Sequence, residues 1–204
     1  MSDDADFAGL LCARLCHDLV SPVGAIGNGL ELLGAAGGAA PEDYALLNDS
    51  ATAARATLAF MRLAFGAVAP DAPEIGGQEL GRIVGAYFAD RRQKIVWPEG
   101  DAPLGRGAAK LLCLMLLAAT TATPRGGSLA VAPPGDAPLA LGVSAEGPRA
   151  GFAPEAAALL ADPSRDPMSP REAHLTLLAR TAARAGATLS VTTDAERVTL
   201  RVAG

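Results

Sequence analysis

The chain has 204 residues, half of them hydrophobic but only 4% aromatic, with a net charge of −5 from 17 basic and 22 acidic residues. That length allows one larger domain or two small ones, the Ala-, Leu- and Gly-rich mix suits closely packed helices better than an all-β sandwich, and no basic stripe marks a nucleic-acid binder. Residues 1–6 are the reverse of a signal peptide, no run of about 18 apolar residues predicts a membrane span, and Cys12, Cys16 and Cys113 read as reduced thiols, so a cytoplasmic protein is expected.

Residues 7–35 read as a long helix. Leu15, Leu19, Pro22 or Val23, Ile26, Leu30 and Leu33 recur at steps of three and four, which is one helical face. Pro22 inside this pattern is expected to kink it. Residues 34–40 (GAAGGAA) read as a turn. Pro41, Glu42 and Asp43 then open a second helix, with proline at its first position and carboxylates at the positive end of its dipole. Tyr44, Leu47, Ala51, Ala54, Leu58, Met61 and Phe65 follow as its apolar stripe. Two such helices make an antiparallel hairpin that cannot hide both stripes by itself. Pairing with a second copy in a four-helix bundle is the expected solution, and cover by the rest of the chain is the alternative. The hairpin is assigned to residues 1–68.

Residues 66–77 are rich in Pro and Gly and read as a linker. A second, α/β domain is assigned to residues 76–204. Leu80, Ile83, Val84, Tyr87 and Phe88 share a helical face. Arg91, Arg92 and Lys94 beside Asp90 read as a short solvated charged face, and Lys94 to Trp97 as a strand. An apolar helix over 107–122 ends at Thr123-Pro124-Arg125-Gly126-Gly127. Strands are expected at Leu129 to Ala132 and Leu139 to Ser144. Ser169-Pro170-Arg171-Glu172 reads as a capping box opening a helix that stops at Gly186, and a hairpin follows over Thr188 to Thr192 and Arg197 to Val202. Helices packed on one face of a sheet are expected.

Chemistry concentrates at His17. It lies two residues from both Leu15 and Leu19, so at 100° per residue it points away from the apolar face and is available to a partner. Arg14 and Ser21 share its side, with Gly24 a turn further on. A neutral imidazole nitrogen is a nucleophile for phosphoryl transfer when a neighbour orients the ring. Asp18 is placed to do this, and Arg14 to neutralise phosphoryl oxygens. Ser21, Gly24 and Asn28 are the candidate partner-docking positions. Cys12, Cys16 and His17 also invite a metal or haem reading, but the cysteines are one residue too far apart for haem attachment and no fourth ligand is near. No metal and no cofactor are expected.

The run Cys16-His17-Asp18-Leu19-Val20-Ser21-Pro22 resembles the H-box of two-component histidine kinases. The longer run from His17 to Leu33 (HDLVSPVGAIGNGLELL) is similar to the alphaproteobacterial histidine phosphotransferases of the ChpT type. The resemblance extends over the chain in layout, but only the first 35 residues carry a specific motif. It implies a homodimeric hairpin bundle and a second domain like a kinase ATP-binding domain. It also implies that His17 takes phosphoryl from the receiver of a hybrid kinase such as CckA and passes it to response regulators such as CtrA and CpdR, with Mg²⁺ held by the receiver. The resemblance also sets out what is missing. Leu114 and Ala118 stand where active kinases place a metal-binding Asn, Ala145 stands where their adenine-reading Asp falls, and Glu172-Ala173-His174-Leu175 replaces a glycine run. ATP is therefore expected to bind no tighter than about millimolar. An ATP-dependent sensor kinase and a non-catalytic dimeric scaffold are the alternatives.

Overall fold

The computed structural model describes residues 2–36, 40–133 and 139–204. Among these it holds six helices and one five-stranded sheet, an α+β arrangement. Helix α1 (Ser2–Ala36) and helix α2 (Pro41–Phe65) form the hairpin. The turn expected over 34–40 starts later than its glycines suggest, since α1 continues to Ala36, and residues 37–39 lie outside the described residues. α1 runs unbroken through Pro22. The Asp43 carboxylate accepts the Ala40 N–H at 2.9 Å, pairing a donor at the start of α2 that the helix leaves free.

Among the half-buried residues of α1, Leu11, Leu15, Leu19, Pro22, Ile26, Gly29 and Leu33 step by three and four down one face. Gly29 lies in the same seam, where a Cβ would run into Leu47 of α2. Val23 and Leu30, assigned to this face by their spacing, are instead exposed, as are Tyr44 and Leu58 of α2. These four lie round their helices from the seam, on flanks that no neighbour covers among the described residues. Toward its end α2 changes surroundings. Thr57, Phe60, Met61 and Ala64 are buried, with helix α3 (Gly77–Phe88) and helix α4 (Arg106–Ala122) against them. The rest of the chain thus covers part of the hairpin and leaves the remainder open. By length and composition Asp4–Gly34 is apolar enough to cross a bilayer. Arg14 and Asp18 interrupt any unbroken apolar run there, but an average over a window absorbs them.

Strands β1 (Gln93–Val96), β2 (Gly127–Val131), β3 (Ala140–Glu146), β4 (Thr188–Asp194) and β5 (Arg197–Ala203) form a sheet of order β1-β2-β3-β5-β4, with only β1 and β2 parallel. Leu129, Val143, Ala145, Val198, Leu200 and Val202 alternate with more exposed residues and make its inner face. α4 is buried almost all round because it is sandwiched between this sheet and α2, with helix α6 (Ala173–Arg184) beside it. Lys110 of α4 donates to the Gly66 carbonyl at 2.8 Å, fastening the end of α2 to the second unit.

Two local expectations are corrected. A short helix, α5 (Pro154–Ala161), was not anticipated. α6 begins at Ala173, not Pro170, because the Ser169 hydroxyl donates to the Glu172 carboxylate at 3.2 Å, so the pair closes a turn on itself instead of capping backbone donors. The Gly126-Gly127 pair has a structural reason. Their φ values are +93° and +141°, and a Cβ on Gly127 would overlap the Glu146 carbonyl.

Candidate functional site

His17 stands on the outer side of α1, with its side chain 69% exposed. Its Nδ1 lies 3.2 Å from Oδ1 of Asp18. A carboxylate accepts, so Nδ1 carries the hydrogen, and in the neutral ring the lone pair falls to Nε2. The helix that exposes His17 turns Asp18 inward by 100°, and the Asp18 side chain is only 8% exposed. Imidazole and carboxylate therefore sit on either side of the protein surface, the nucleophile outside and its partner inside.

Oδ2 of Asp18 meets two further donors. Arg14, one turn back on α1, brings Nε to 3.4 Å, and Tyr87 of α3 brings its hydroxyl to 3.5 Å. Arg14 also donates to the Arg171 carbonyl at 3.4 Å, which ties α1 to the turn before α6. The Tyr87 ring stacks on Phe60 of α2, with centroids 4.0 Å apart and planes 4° apart, and meets Phe88 edge-on. The Arg91 guanidinium lies 3.9 Å from the Tyr87 centroid, and its Nε donates to the Tyr87 carbonyl. Arg91 is thus half-buried over an aromatic ring, which corrects its assignment to a solvated charged face; Arg92 and Lys94 are exposed as expected. Burial, more than the nearby Asp18 charge, raises the Tyr87 phenol well above its ordinary range, so it remains a donor.

Of the sequence-derived candidates, the structure brings His17, Asp18 and Arg14 into one hydrogen-bonded set. Ser21 lies beside them, in a groove with Asp18, Pro22, Asp49, Ser50, Tyr87 and Arg91 along its walls. Gly24 and Asn28 are exposed further along α1 and do not line that groove. Tyr87 was assigned to the core by its spacing, and only a buried phenol's need for a partner hinted at more.

Leu114, Ala118, Ala145, Ala173, His174 and Leu175 are all fully buried in the second unit. His174 Nε2 lies 3.1 Å from the Thr121 hydroxyl, and Nδ1 has no hydrogen-bond partner among the described residues. Burial first, and then the Arg14 charge, lower its pKa to about 3, against the opposing pull of Asp18 and the Leu117 and Arg171 carbonyls. Among the described residues no group of three His, Cys, Asp or Glu side chains could hold a metal ion. Cys12 and Cys16 are free and exposed.

Three comparisons bear on this arrangement. The profile of the family "Histidine phosphotransferase C-terminal domain" matches residues 77–197. The chain is 44% identical over 126 residues to "Protein phosphotransferase ChpT" of Brucella abortus (strain 2308), a match covering 62% of this chain and 60% of that protein, hence less than two thirds of its length. A solved structure of a bacterial phosphotransferase superposes with a TM-score of 0.79 at 33% identity, over 98% of this chain and 96% of the other.

Proposed function

This chain belongs to the family of ChpT-type histidine phosphotransferases, and on that premise we propose that it relays phosphoryl groups between receiver domains through Nε2 of His17. The observation that carries this reading is the pairing of an exposed imidazole with a buried carboxylate through Nδ1. The Nε2 lone pair attacks the phosphorus of an aspartyl phosphate on a docked receiver. The N–P bond forms as the P–O bond to the receiver carboxylate breaks, and that carboxylate leaves as an anion. No proton has to leave Nε2. The ring then bears phosphorus on one nitrogen and hydrogen on the other, and Asp18 balances its positive charge. Arg14 steadies Asp18 and adds positive charge near the incoming phosphoryl oxygens. Reversal of the same step passes the group to a second receiver.

The donor is a receiver of a hybrid kinase, CckA-like, and the acceptors are response regulators, CtrA-like and CpdR-like. The groove beside Asp18 and Ser21 supports docking near His17, and Gly24 and Asn28 extend the surface along α1 without bulk. Any Mg²⁺ belongs to the receiver. ATP use is not part of this reading. Leu114, Ala118 and Ala145, which stand where a metal-binding Asn and an adenine-reading Asp would fall, are apolar and fully buried, which supports a domain without nucleotide ligands. Exposed Val20, Val23, Leu30 and Leu58 support pairing of two hairpins into a four-helix dimer. We read α1 as a bundle helix of a cytoplasmic protein and not as a span, because Arg14 and Asp18 would be costly in hydrocarbon.

Incubation with a phosphorylated receiver tests the proposal. An acid-labile adduct of one phosphoryl group is expected by intact mass, absent in His17→Ala. Labelling of the His17→Ala variant, or none of the wild type, would refute it. Calorimetry with Mg²⁺ and ATP is expected to show affinity no tighter than about millimolar.

A further inference from the structure

Resting on that reading, we propose that Tyr87 is a positioning residue for His17, and that through its hydroxyl the second unit sets the orientation of the phosphoryl-accepting ring. Two features of the structure bear on this. The Tyr87 ring is held from three sides, by Phe60 of α2, Phe88 of α3 and Arg91 beyond the end of α3. Its only polar atom is the hydroxyl, 3.5 Å from Asp18 Oδ2. One side chain therefore touches both helices of the hairpin while belonging to neither.

The geometry divides the work on Asp18. Oδ1 receives Nδ1–H of His17, and Oδ2 faces Tyr87 and Arg14. Arg14 lies on the same helix as Asp18, so its contact moves with α1. Tyr87 is the donor from outside α1 and reaches the carboxylate directly from the second unit, whereas Arg14 reaches that unit only through its own bond to the Arg171 carbonyl. A carboxylate held on one oxygen keeps the other turned to the imidazole, which favours the tautomer that leaves Nε2 free. The 3.4 and 3.5 Å contacts are long for charge-assisted hydrogen bonds, as is common for catalytic groups before a substrate docks. The phenol stays protonated across the physiological range. A tyrosine was not needed for packing here, since phenylalanine fills the same stack. The hydroxyl is the part that packing leaves unexplained.

The test is Tyr87→Phe, which keeps the ring, the Phe60 stack and the Arg91 contact. Nitrogen-15 spectra of the His17 ring are expected to show the Nδ1–H form dominant in the wild type and a mixture enriched in Nε2–H in the variant. The transfer rate from a phosphorylated receiver is expected to fall about three- to tenfold. In an Asp18→Asn background the same substitution should add no further loss, because Tyr87 acts through Asp18. Unchanged ring spectra, or additive losses in the double variant, overturn the proposal. If Tyr87→Phe does not fold, the carbon-13 shift of Tyr87 Cζ serves in its place: it moves on Asp18→Asn if the contact is real and stays put if not. Failure of the wild type to take phosphoryl on His17 refutes the relay reading alone, since the ring spectra judge Tyr87 without any transfer.

Discussion

A carboxylate whose side chain is only 8% exposed must meet donors or carry a large desolvation cost, and Asp18 meets His17, Arg14 and Tyr87. Replacing it with Asn keeps the shape and removes the charge that balances a phosphorylated ring. Asp18→Asn is expected to slow receiver-to-His17 transfer by roughly ten- to a hundredfold, with folding intact, as read from a quenched time course of the acid-labile adduct. His174 is the buried counterpart. Its folded pKa is depressed to about 3 from an ordinary 6.5, so the folded chain binds fewer protons there than the unfolded chain between those values. Its contribution is fully present above pH 6.5 and is lost as the pH falls toward 3. The linkage slope is about 1.4 kcal/mol per pH unit, so this one group removes about 2 kcal/mol between pH 6.5 and 5. Urea unfolding of His174→Gln should show a visibly flatter dependence over that interval, with a lower starting stability from the lost fit against Thr121. An equal slope in both proteins would locate the acid sensitivity elsewhere.

At the scale of elements, periodicity found the helices that have one wet and one dry side. α3 shows this well, with Leu80, Val84, Tyr87 and Phe88 all buried at the spacing that assigned them to its inner face. α5 escaped notice because it is short and nearly all alanine and leucine, with no polar face to set a period. Of the stripe on α1, Leu15, Leu19, Pro22, Ile26 and Leu33 are half-buried within the single chain, while Val23 and Leu30 are exposed there. Apolar spacing marks every surface a helix will bury, whichever neighbour buries it, so it cannot separate α2 from another occupant. The site was legible through His17 and its neighbours on α1, which lie within one turn. Tyr87 is 69 residues away from Asp18, and no local pattern joins them. The Thr123 to Gly127 turn, read as the end of α4, has glycines that its backbone shape requires. Gly127→Ala would force a side chain into the Glu146 carbonyl at φ +141°. A loss of about 3 kcal/mol in urea unfolding is expected, beyond an ordinary loop substitution.

For the molecule as a whole, the hairpin has two unlike sides. The side toward α3 is polar and partly walled by the second unit, with Asp18, Ser21, Asp49 and Arg91 along it. The other is a broad, mainly apolar groove with Leu15, Leu58, Ala59, Met61 and Phe65 along it, and Arg55 and Arg62 also on its walls. A second hairpin on the apolar side would bury Leu58 and, round α1, Val23 and Leu30, and would leave the polar side open to a receiver. Fully burying a leucine is worth about 1.5 to 3 kcal/mol, so a two-fold interface that uses each residue twice is sensitive to a few charges. Leu30→Glu with Leu58→Glu should therefore give a monomer by sedimentation equilibrium at tens of micromolar, where the parent chain is expected to be a dimer. Both positions are exposed in the single chain, so the monomer is expected to remain folded by circular dichroism. The His17 ring spectra should be unchanged in that monomer, because none of the groups around Asp18 lies on the apolar side. A parent chain that sediments as a monomer would remove the dimer from this account. A shifted His17 tautomer in the charged variant would mean that the two sides of the hairpin are coupled.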